Sequence, residues 1–138
     1  MMATQPYRSG KVLEARGLDV VSDEIWVMLL TDEYSFNSFH SSRENLVSFE
    51  STGPGYKAGG RPVMGRKLEW AGDVLQVKAE DPLWSRASVR AKYAVLYRAR
   101  GGEASKDELI CCLDFGDNVS SMNGPFKIEW PGGVMRES

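Results

Sequence analysis

The sequence predicts an all-β fold, a single-domain β-sandwich or jelly roll of about eight strands that follows an extended N-terminal arm. Several segments alternate between apolar and polar residues, as strands with one buried face do. Turn residues recur at intervals of about ten residues, which is typical of all-β domains. No long segment shows the periodicity of a helix.

Length and charge limit the organisation of the chain and its classes of partner. The 138 residues fit one domain, and we expect an arm over residues 1–10 and one β domain over residues 11–138. The net charge of −2 gives no long-range attraction to nucleic acid or to an anionic membrane. No apolar run is long enough for a membrane span or a signal peptide, so we expect synthesis in a cytosol.

The first half of the chain is expected to hold one buried strand among loops. The segment "DEIWVMLLTDEY" is strongly apolar and rich in β-branched and aromatic residues, which favours a buried strand. A short first element, "KVLEARGLDVV", precedes it, and a polar loop with one helical turn at residues 41–46 follows it.

The second half alternates more clearly. The segment "ASVRAKYAVLYRAR" predicts a long half-buried strand with the cations Arg90, Lys92 and Arg98 on its outer face. Its inner face is expected to carry Val89, Ala91, Tyr93, Val95 and Tyr97. In "FKIEW" the same rule turns Trp130 inward, and two strands are expected to form a hairpin around Gly72.

A glycine-rich loop, "GPGYKAGGRP" at residues 53–62, matches neither phosphate-binding motif. A P-loop needs Lys and then a hydroxyl residue after its second glycine, where this chain has Arg61 and Pro62. The dinucleotide motif needs a glycine where Ala58 stands. We therefore interpret the loop as structural, with Tyr56 holding it against the domain and with glycines that adopt positive φ. These glycines are Gly53, Gly55, Gly59 and Gly60.

No complete catalytic arrangement is visible in the sequence. His40 is the only imidazole and lies in a polar stretch without a nucleophile motif, so we expect a loop role. Asp114 in "DFG" lacks the other kinase motifs and is expected to end a strand beside a turn. Glu80 and Asp81 precede a proline, as in ordinary turns. We therefore predict no catalytic residue, no bound cofactor and no enzymatic activity.

The two cysteines, Cys111 and Cys112, are adjacent. Neighbouring strand residues point to opposite faces, so these thiols are poorly placed to form a disulfide with each other. Together with His40 they give fewer ligands than a structural zinc site usually takes. We interpret both cysteines as small apolar strand residues and predict no metal site.

Aromatic residues leave one alternative open, a site for carbohydrate. Such a site needs exposed rings beside polar groups in a groove, and the rings available are Trp70, Trp84 and Trp130. The alternation turns Trp130 inward and leaves Trp84, in "DPLWS", as the ring expected at the surface. A carbohydrate-binding surface module therefore stays an alternative function.

Five motifs follow one another along the chain, "LDVVSDEIWVMLL", "GPGYKAGG", "WSRASVRAKYAVLYR", "LICCLDFGDNVSSMNGPFKIEW" and "GGV". In this order they resemble a family of small virion structural proteins of tailed bacteriophages, over residues 13–134. The glycine loop of that family, G-x-G-Y-x-A-G-G, is matched at residues 53–60, a strand similar to "ARYAVIY" at Ala91–Tyr97, and "IDFG" at Leu113–Gly116. The two cysteines depart from the aliphatic, glycine or aromatic residues usual at their positions.

The resemblance implies a virion component without enzymatic activity. We expect a capsid decoration or cement protein that binds the major capsid protein or neighbouring virion proteins on the head surface. A head–tail connector or tail structural protein is the alternative that the same resemblance allows. Analogy with other decoration proteins implies a homo-oligomer, a trimer. We expect the chain to be made in the host bacterial cytoplasm and to reside in the virion, and the charge argument above predicts neither nucleic acid nor a membrane as a partner.

The N-terminal arm is expected to contact those partners, together with strand edges that a monomer leaves unpaired. Residues 1–10 have too little apolar content to fold alone, so we expect this arm to be disordered in isolation. Tyr7 and Arg8 are residue types that anchor interfaces, and they are the predicted partner contacts.

Overall fold

The computed structural model describes residues 3–19, 21–72, 74–129 and 135–136, and within them the chain is mostly β. One α-helix, α1, covers Arg8–Ala15, and two 3-10 helices cover Arg43–Phe49 and Ala104–Lys106. The described strands are β1 Ala3–Pro6, β2 Ile25–Leu30, β3 Arg61–Pro62, β4 Lys67–Ala71, β5 Val74–Lys78, β6 Leu83–Ala87, β7 Arg90–Arg98, β8 Glu108–Ser120, β9 Gly124–Lys127 and β10 Met135–Arg136. At this level the predicted β class is confirmed.

Five of these strands form the main sheet, in the order β1-β8-β7-β2-β3, and every neighbouring pair is antiparallel. A second sheet has the order β10-β5-β4, and β6 pairs with β9 in a third. The hairpin predicted around Gly72 is confirmed, because Ala71 pairs with Val74 and Gly72 has a φ of 63°.

At the centre of the main sheet, most of β2 and β7 and the Leu109–Leu113 part of β8 are buried on both faces. The first core cluster consists of Leu13, Ile25, Val27, Leu29, Val63, Trp84, Ala87, Val89, Ala91, Ala94, Leu96, Ile110, Cys111, Leu113, Phe126 and Ile128. The second core cluster consists of Tyr7, Met28, Leu30, Tyr34, Leu46, Tyr93, Val95, Tyr97, Leu109 and Cys112. Strands with two buried faces need continuous apolar runs, which explains why "IWVMLL" and "LICCL" do not alternate.

The predicted half-buried character of the strand Arg90–Arg98 is wrong. Tyr93, Val95 and Tyr97 do share one face, but Ala91 lies in the other core cluster. A register shift between Ala91 and Tyr93 in the pairing of β7 with β8 breaks the alternation. The residues between the tyrosines are buried as well, so this part of β7 has no face in water.

The N-terminal residues belong to the fold, which corrects the predicted arm. Strand β1 pairs with β8, and the backbone N–H of Tyr7 donates to the carbonyl oxygen of Ile110 at 3.1 Å. Ile110 is an extra residue at a shift in the β7–β8 register. The predicted boundary after residue 10 falls inside α1, so residues 3–10 are not a separate segment.

Gly10 allows α1 to lie directly on β8. A Cβ at position 10 would overlap the carbonyl oxygen of Ile110. On the same strand, the carbonyl oxygen of Leu109 accepts a hydrogen bond from Oγ of Ser9 at 2.7 Å, and Leu13 enters the first core cluster. Glycine is therefore required at position 10 by space rather than by an unusual φ.

Replacing Gly10 with alanine is expected to lower the free energy of unfolding by roughly 1–3 kcal/mol, the usual cost of overpacking. Helix propensity alone would make Gly10→Ala stabilising, because it favours alanine over glycine by about 1 kcal/mol, so the expected loss of stability has the opposite sign. Urea denaturation measures the difference. Gly102→Ala is the matched control, because nothing lies within 4 Å of a Cβ there. Equal unfolding free energies for the two variants would contradict the close approach of α1 to β8.

Candidate functional site

The glycine loop covers the open edge of β2. Strand β3 has two residues, so the backbone N–H of Leu29 needs another acceptor, and the hydroxyl oxygen of Tyr56 accepts it at 3.0 Å. The same hydroxyl donates to Oε2 of Glu50 at 2.5 Å. That carboxylate oxygen also accepts the backbone N–H of Gly59 at 2.7 Å. Tyr56 therefore holds the loop against the domain, in place of a longer paired strand.

Close backbone approach explains the glycines of this loop. Gly59 and Gly60 have φ values of 93° and 83°, and a Cβ at Gly60 would overlap the carbonyl oxygen of Val27. A Cβ at Gly53 or Gly55 would overlap backbone atoms at the end of β6. The N–H groups of Gly59 and Gly60 already donate within the protein. These contacts support the structural role of the loop and leave those two amides engaged rather than open to a phosphate.

A partly buried ion pair, which the sequence analysis did not predict, lies next to the loop. Nε of Arg43 donates to Oδ2 of Asp107 at 2.8 Å, and Oδ1 of Asp107 accepts the backbone N–H of Arg100 at 2.8 Å. The Arg43 guanidinium lies 5.5 Å from the ring centroid of Tyr97, whose hydroxyl donates to the carbonyl oxygen of Gly59 at 2.5 Å. No local pattern connects Arg43 with Asp107, because 64 positions separate them.

His40 ends a hydrogen-bond chain at the border of the second core cluster. Its Nδ1 is 3.1 Å from the hydroxyl oxygen of Tyr34, which is 2.8 Å from the hydroxyl oxygen of Tyr7. Burial raises the pKa of both phenols, so they act as neutral hydrogen-bonding groups. Within the described ranges, no carboxylate is hydrogen-bonded to His40. The loop role predicted for this residue agrees with that geometry.

Asp114 and the two cysteines lie within β8. Asp114 was expected to end a strand, but β8 continues to Ser120, and Oδ1 of Asp114 accepts the backbone N–H of Gly116 at 2.8 Å. Cys111 lies in the first core cluster and Cys112 in the second, which confirms their opposite orientation. Both are free and buried. In the part of the chain that the structure describes, no three His, Cys, Asp or Glu side chains are grouped to hold a metal ion.

The tryptophans differ from the predicted carbohydrate platform. Trp84 is 7% exposed, and its ring centroid lies 5.8 Å from that of Tyr56 and 6.0 Å from that of Phe126. Its predicted exposure is therefore wrong, because the ring packs into the first core cluster against those two rings. Trp70 is 71% exposed. Trp130 lies outside the described residues.

Tyr7 and Arg8, the two predicted partner contacts, have different environments. Tyr7 is 0% exposed, so its predicted role is wrong, because a buried ring offers no surface to a partner. Arg8 is exposed, and its guanidinium carbon lies 4.1 Å from the ring centroid of Phe39. The exposed ring of Phe39 was not singled out in the sequence.

The described residues also line a cleft of about 400 Å³ between β3 and β6. Its lining includes Arg61, Glu80, Asp81 and Leu83, and Nη1 of Arg61 donates to the carbonyl oxygen of Leu83. Charges of both signs face the cleft, so it has no clear preference for an anion or a cation. Its described lining contains neither an imidazole nor a thiol.

Gly60→Ala is expected to lower the free energy of unfolding by roughly 2–4 kcal/mol, because it combines an unfavourable φ with overpacking. Gly59→Ala is the matched comparison and is expected to cost about 1 kcal/mol, since its Cβ meets only the Tyr97 hydroxyl, at 3.4 Å. Chemical denaturation measures both. A larger cost for Gly59→Ala than for Gly60→Ala would contradict the packing of this loop on β2.

Stability is expected to fall as the pH rises above 9. Burial raises the pKa of the Cys112 thiol from 9.0 to about 12, and it also raises the pKa of Tyr56 and Tyr97. Below pH 9 the contribution of Cys112 is fully present. Between pH 9 and 12 the thiol ionises in the unfolded chain but not in the folded one, which lowers the free energy of unfolding by roughly 1 kcal/mol per pH unit. Urea titrations at several pH values measure how the free energy of unfolding changes with pH. Cys112→Ala should reduce this change, and an unchanged pH dependence would contradict the raised pKa of the Cys112 thiol.

Comparisons with known proteins add no relative to these observations. No family model, no curated protein and no solved structure matches the chain. No helix in the described residues is long and apolar enough to cross a membrane. A function for the chain therefore has to be argued from its own residues and their geometry.

Proposed function

We propose that the chain is a non-enzymatic structural protein of a tailed-bacteriophage virion, and that it decorates the capsid by binding the major capsid protein. The resemblance of residues 13–134 to small virion proteins supports this assignment. The motifs that carry the resemblance supply the glycine loop over β2 and the strands β7 and β8. These motifs therefore form the folded core of the domain. The proposed binding of a partner has to be argued from exposed residues instead.

The observation that carries the proposal is the exposed apolar face of β4. Leu68 and Trp70 are two positions apart on this strand and so share one face, and they are 49% and 71% exposed. Among the described strands, β4 lies at the edge of its sheet, where a neighbouring chain can pair with its backbone. A large exposed ring beside an unpaired strand edge is typical of a protein-binding surface.

We further propose that the domain is a β-sandwich in which β6 and β9 form a second layer over one face of the main sheet. Trp84 of β6 and Phe126 of β9 lie in the same core cluster as Val27 and Leu29 of β2. Two layers that share one apolar core are what a sandwich requires. A jelly roll is the other arrangement expected from the sequence.

We also propose that the chain acts as a homo-oligomer, and a trimer is the state implied by analogy with other decoration proteins. An oligomer holds several lattice sites at once, so contacts that are individually modest become durable. The edge of β4, with which no other described strand pairs, suits either a second copy of the chain or a capsid protein.

A carbohydrate-binding surface module is the second candidate function, and the exposed ring of Trp70 favours it over the buried Trp84. Aromatic rings bind sugars only where polar groups converge beside them. Glycan-array binding that is lost on Trp70→Ala would support this candidate against capsid decoration.

Quantitative mass spectrometry of purified particles is expected to find the chain in numbers comparable to the major capsid protein, because a decoration protein occupies repeated lattice sites. Numbers close to those of a single vertex or tail component would instead support a head–tail connector or tail protein. Absence from the particles would contradict each of these virion assignments.

Trp70→Ala is expected to weaken binding to empty capsids by about tenfold or more, as loss of a central aromatic contact does. Val119→Ala is the matched control, because Val119 is 42% exposed on another strand. Circular dichroism checks the fold of both variants. Equal occupancy of wild type and Trp70→Ala would remove β4 from the interface. Deleting residues 1–10 would not test the interface cleanly, because Tyr7 and Gly10 are packed in the domain and their loss would disturb the fold itself.

A further inference from the structure

Arg8 and Phe39 form a stacked pair at the surface. The guanidinium carbon of Arg8 lies 4.1 Å from the centroid of the Phe39 ring, and this ring is 68% exposed. Among the residues that the structure describes, no carboxylate lies within ion-pair distance of Arg8. The cation is therefore held over an aromatic face while its N–H donors remain open to a further partner.

Backbone hydrogen bonds hold the two residues of this pair in place. The N–H of Arg8 donates to the carbonyl oxygen of Ser38 at 3.0 Å, and the N–H of Phe39 donates to Oδ1 of Asn37 at 2.9 Å. Tyr7, which precedes Arg8, is fixed in the second core cluster. A partner that binds here meets a largely preformed surface, which reduces the conformational entropy lost on binding.

The exposed face of α1 extends the stacked pair. Lys11, Val12 and Ala15 follow Arg8 at helical spacings of three, four and seven residues, so they share its face, and all are exposed. Lys11 also has no ion-pair partner among the described carboxylates. The combined surface presents two cations beside the apolar groups of Val12 and Phe39.

The position of Arg8 at the start of a helix is not explained by the stability of that helix. The N-terminal end of a helix carries a partial positive charge, which favours acidic residues and disfavours cations in the first turn. The first turn of α1 contains no acidic residue and begins with Arg8. A carboxylate from outside would pair with the guanidinium and also relieve this repulsion. The surface is thus complementary to a negatively charged partner.

We propose that Arg8, Lys11, Val12 and Phe39 bind an acidic segment of another protein in which carboxylates lie beside apolar side chains. The guanidinium suits two-point contact with a carboxylate, and the Phe39 ring and Val12 cover the neighbouring apolar groups. A second copy related by a twofold axis would place these two cations against the same two cations, which is repulsive. The inference concerns the chemistry of this surface and does not depend on the virion assignment.

The test uses the full chain labelled with ¹⁵N and a short, end-blocked peptide of alternating glutamate and leucine. The control peptide carries glutamine in place of each glutamate. Amide shifts are expected at residues 8–16 and 37–40, with the glutamate peptide bound about five- to tenfold more tightly and its affinity decreasing as salt is added. Shifts confined to other parts of the chain, or equal affinity for the two peptides, would overturn the proposal.

Variants locate the binding on individual side chains. Arg8→Gln and Phe39→Ala are each expected to weaken binding of the glutamate peptide by about three- to fivefold. Arg90→Gln removes an exposed cation from β7 and should leave the affinity unchanged. If thermal unfolding shows that Arg8→Gln is poorly folded, Lys11→Gln replaces it with the same expectation. Equal losses for Arg90→Gln would overturn the proposal, and so would sedimentation showing self-association that Arg8→Gln abolishes, since the surface would then bind a second copy.

Discussion

Much of the fold provides hydrogen-bond partners for the backbone of β2. This strand is buried on both faces, so each of its N–H and C=O groups needs a partner inside the protein. Strand β7 provides partners along one edge, but β3 is short, and Leu29 depends on the hydroxyl of Tyr56. The backbone of the loop reaches this place by passing close to the carbonyl oxygen of Val27, where only Gly60 fits. The glycine loop therefore contains Tyr56 and Gly60 because it has to cover the edge of β2 that β3 leaves open.

A related requirement operates at β8, on the other side of the main sheet. Strand β1 pairs with its edge, and the register shift at Ile110 offers a carbonyl oxygen to the N–H of Tyr7. The ring of Tyr7 then fills the second core cluster, and its buried hydroxyl is satisfied by Tyr34, which reaches His40 near solvent. The sole histidine thereby completes a polar chain that allows an aromatic ring to be buried. The N-terminal residues and the loop at residues 34–40 are linked through this chain.

Local patterns predicted the features that depend on neighbours in the sequence. The hairpin at Gly72 and the opposite orientation of the cysteines follow from turn chemistry and strand geometry. The predictions failed where distant contacts decide. Tyr7 is buried because it packs against β8 and Tyr34, and Trp84 is buried because Tyr56 and Phe126 pack against its ring. At the surface, the sequence analysis named Arg8 as a partner contact but did not name Phe39. The stacking of Phe39 on Arg8 depends on a backbone hydrogen bond between α1 and the loop that contains Phe39, and no local sequence pattern connects these two segments.

The demands of the core also determine which side chains remain for partners. Phe39 and Trp70 belong to neither core cluster, so the folded chain gains little from their apolar area, which becomes favourable only when another surface covers it. Arg8 is a similar case for charge. Its positive charge is repelled by the partial positive charge at the N-terminal end of α1, and this repulsion decreases only when a negative group binds there. These side chains lie on different elements, with Arg8 on α1 and Trp70 on β4. Under the proposed capsid role, these two separate surfaces would contact two neighbours at once. The second contact would then form at a high effective concentration, so two modest affinities would suffice for durable attachment.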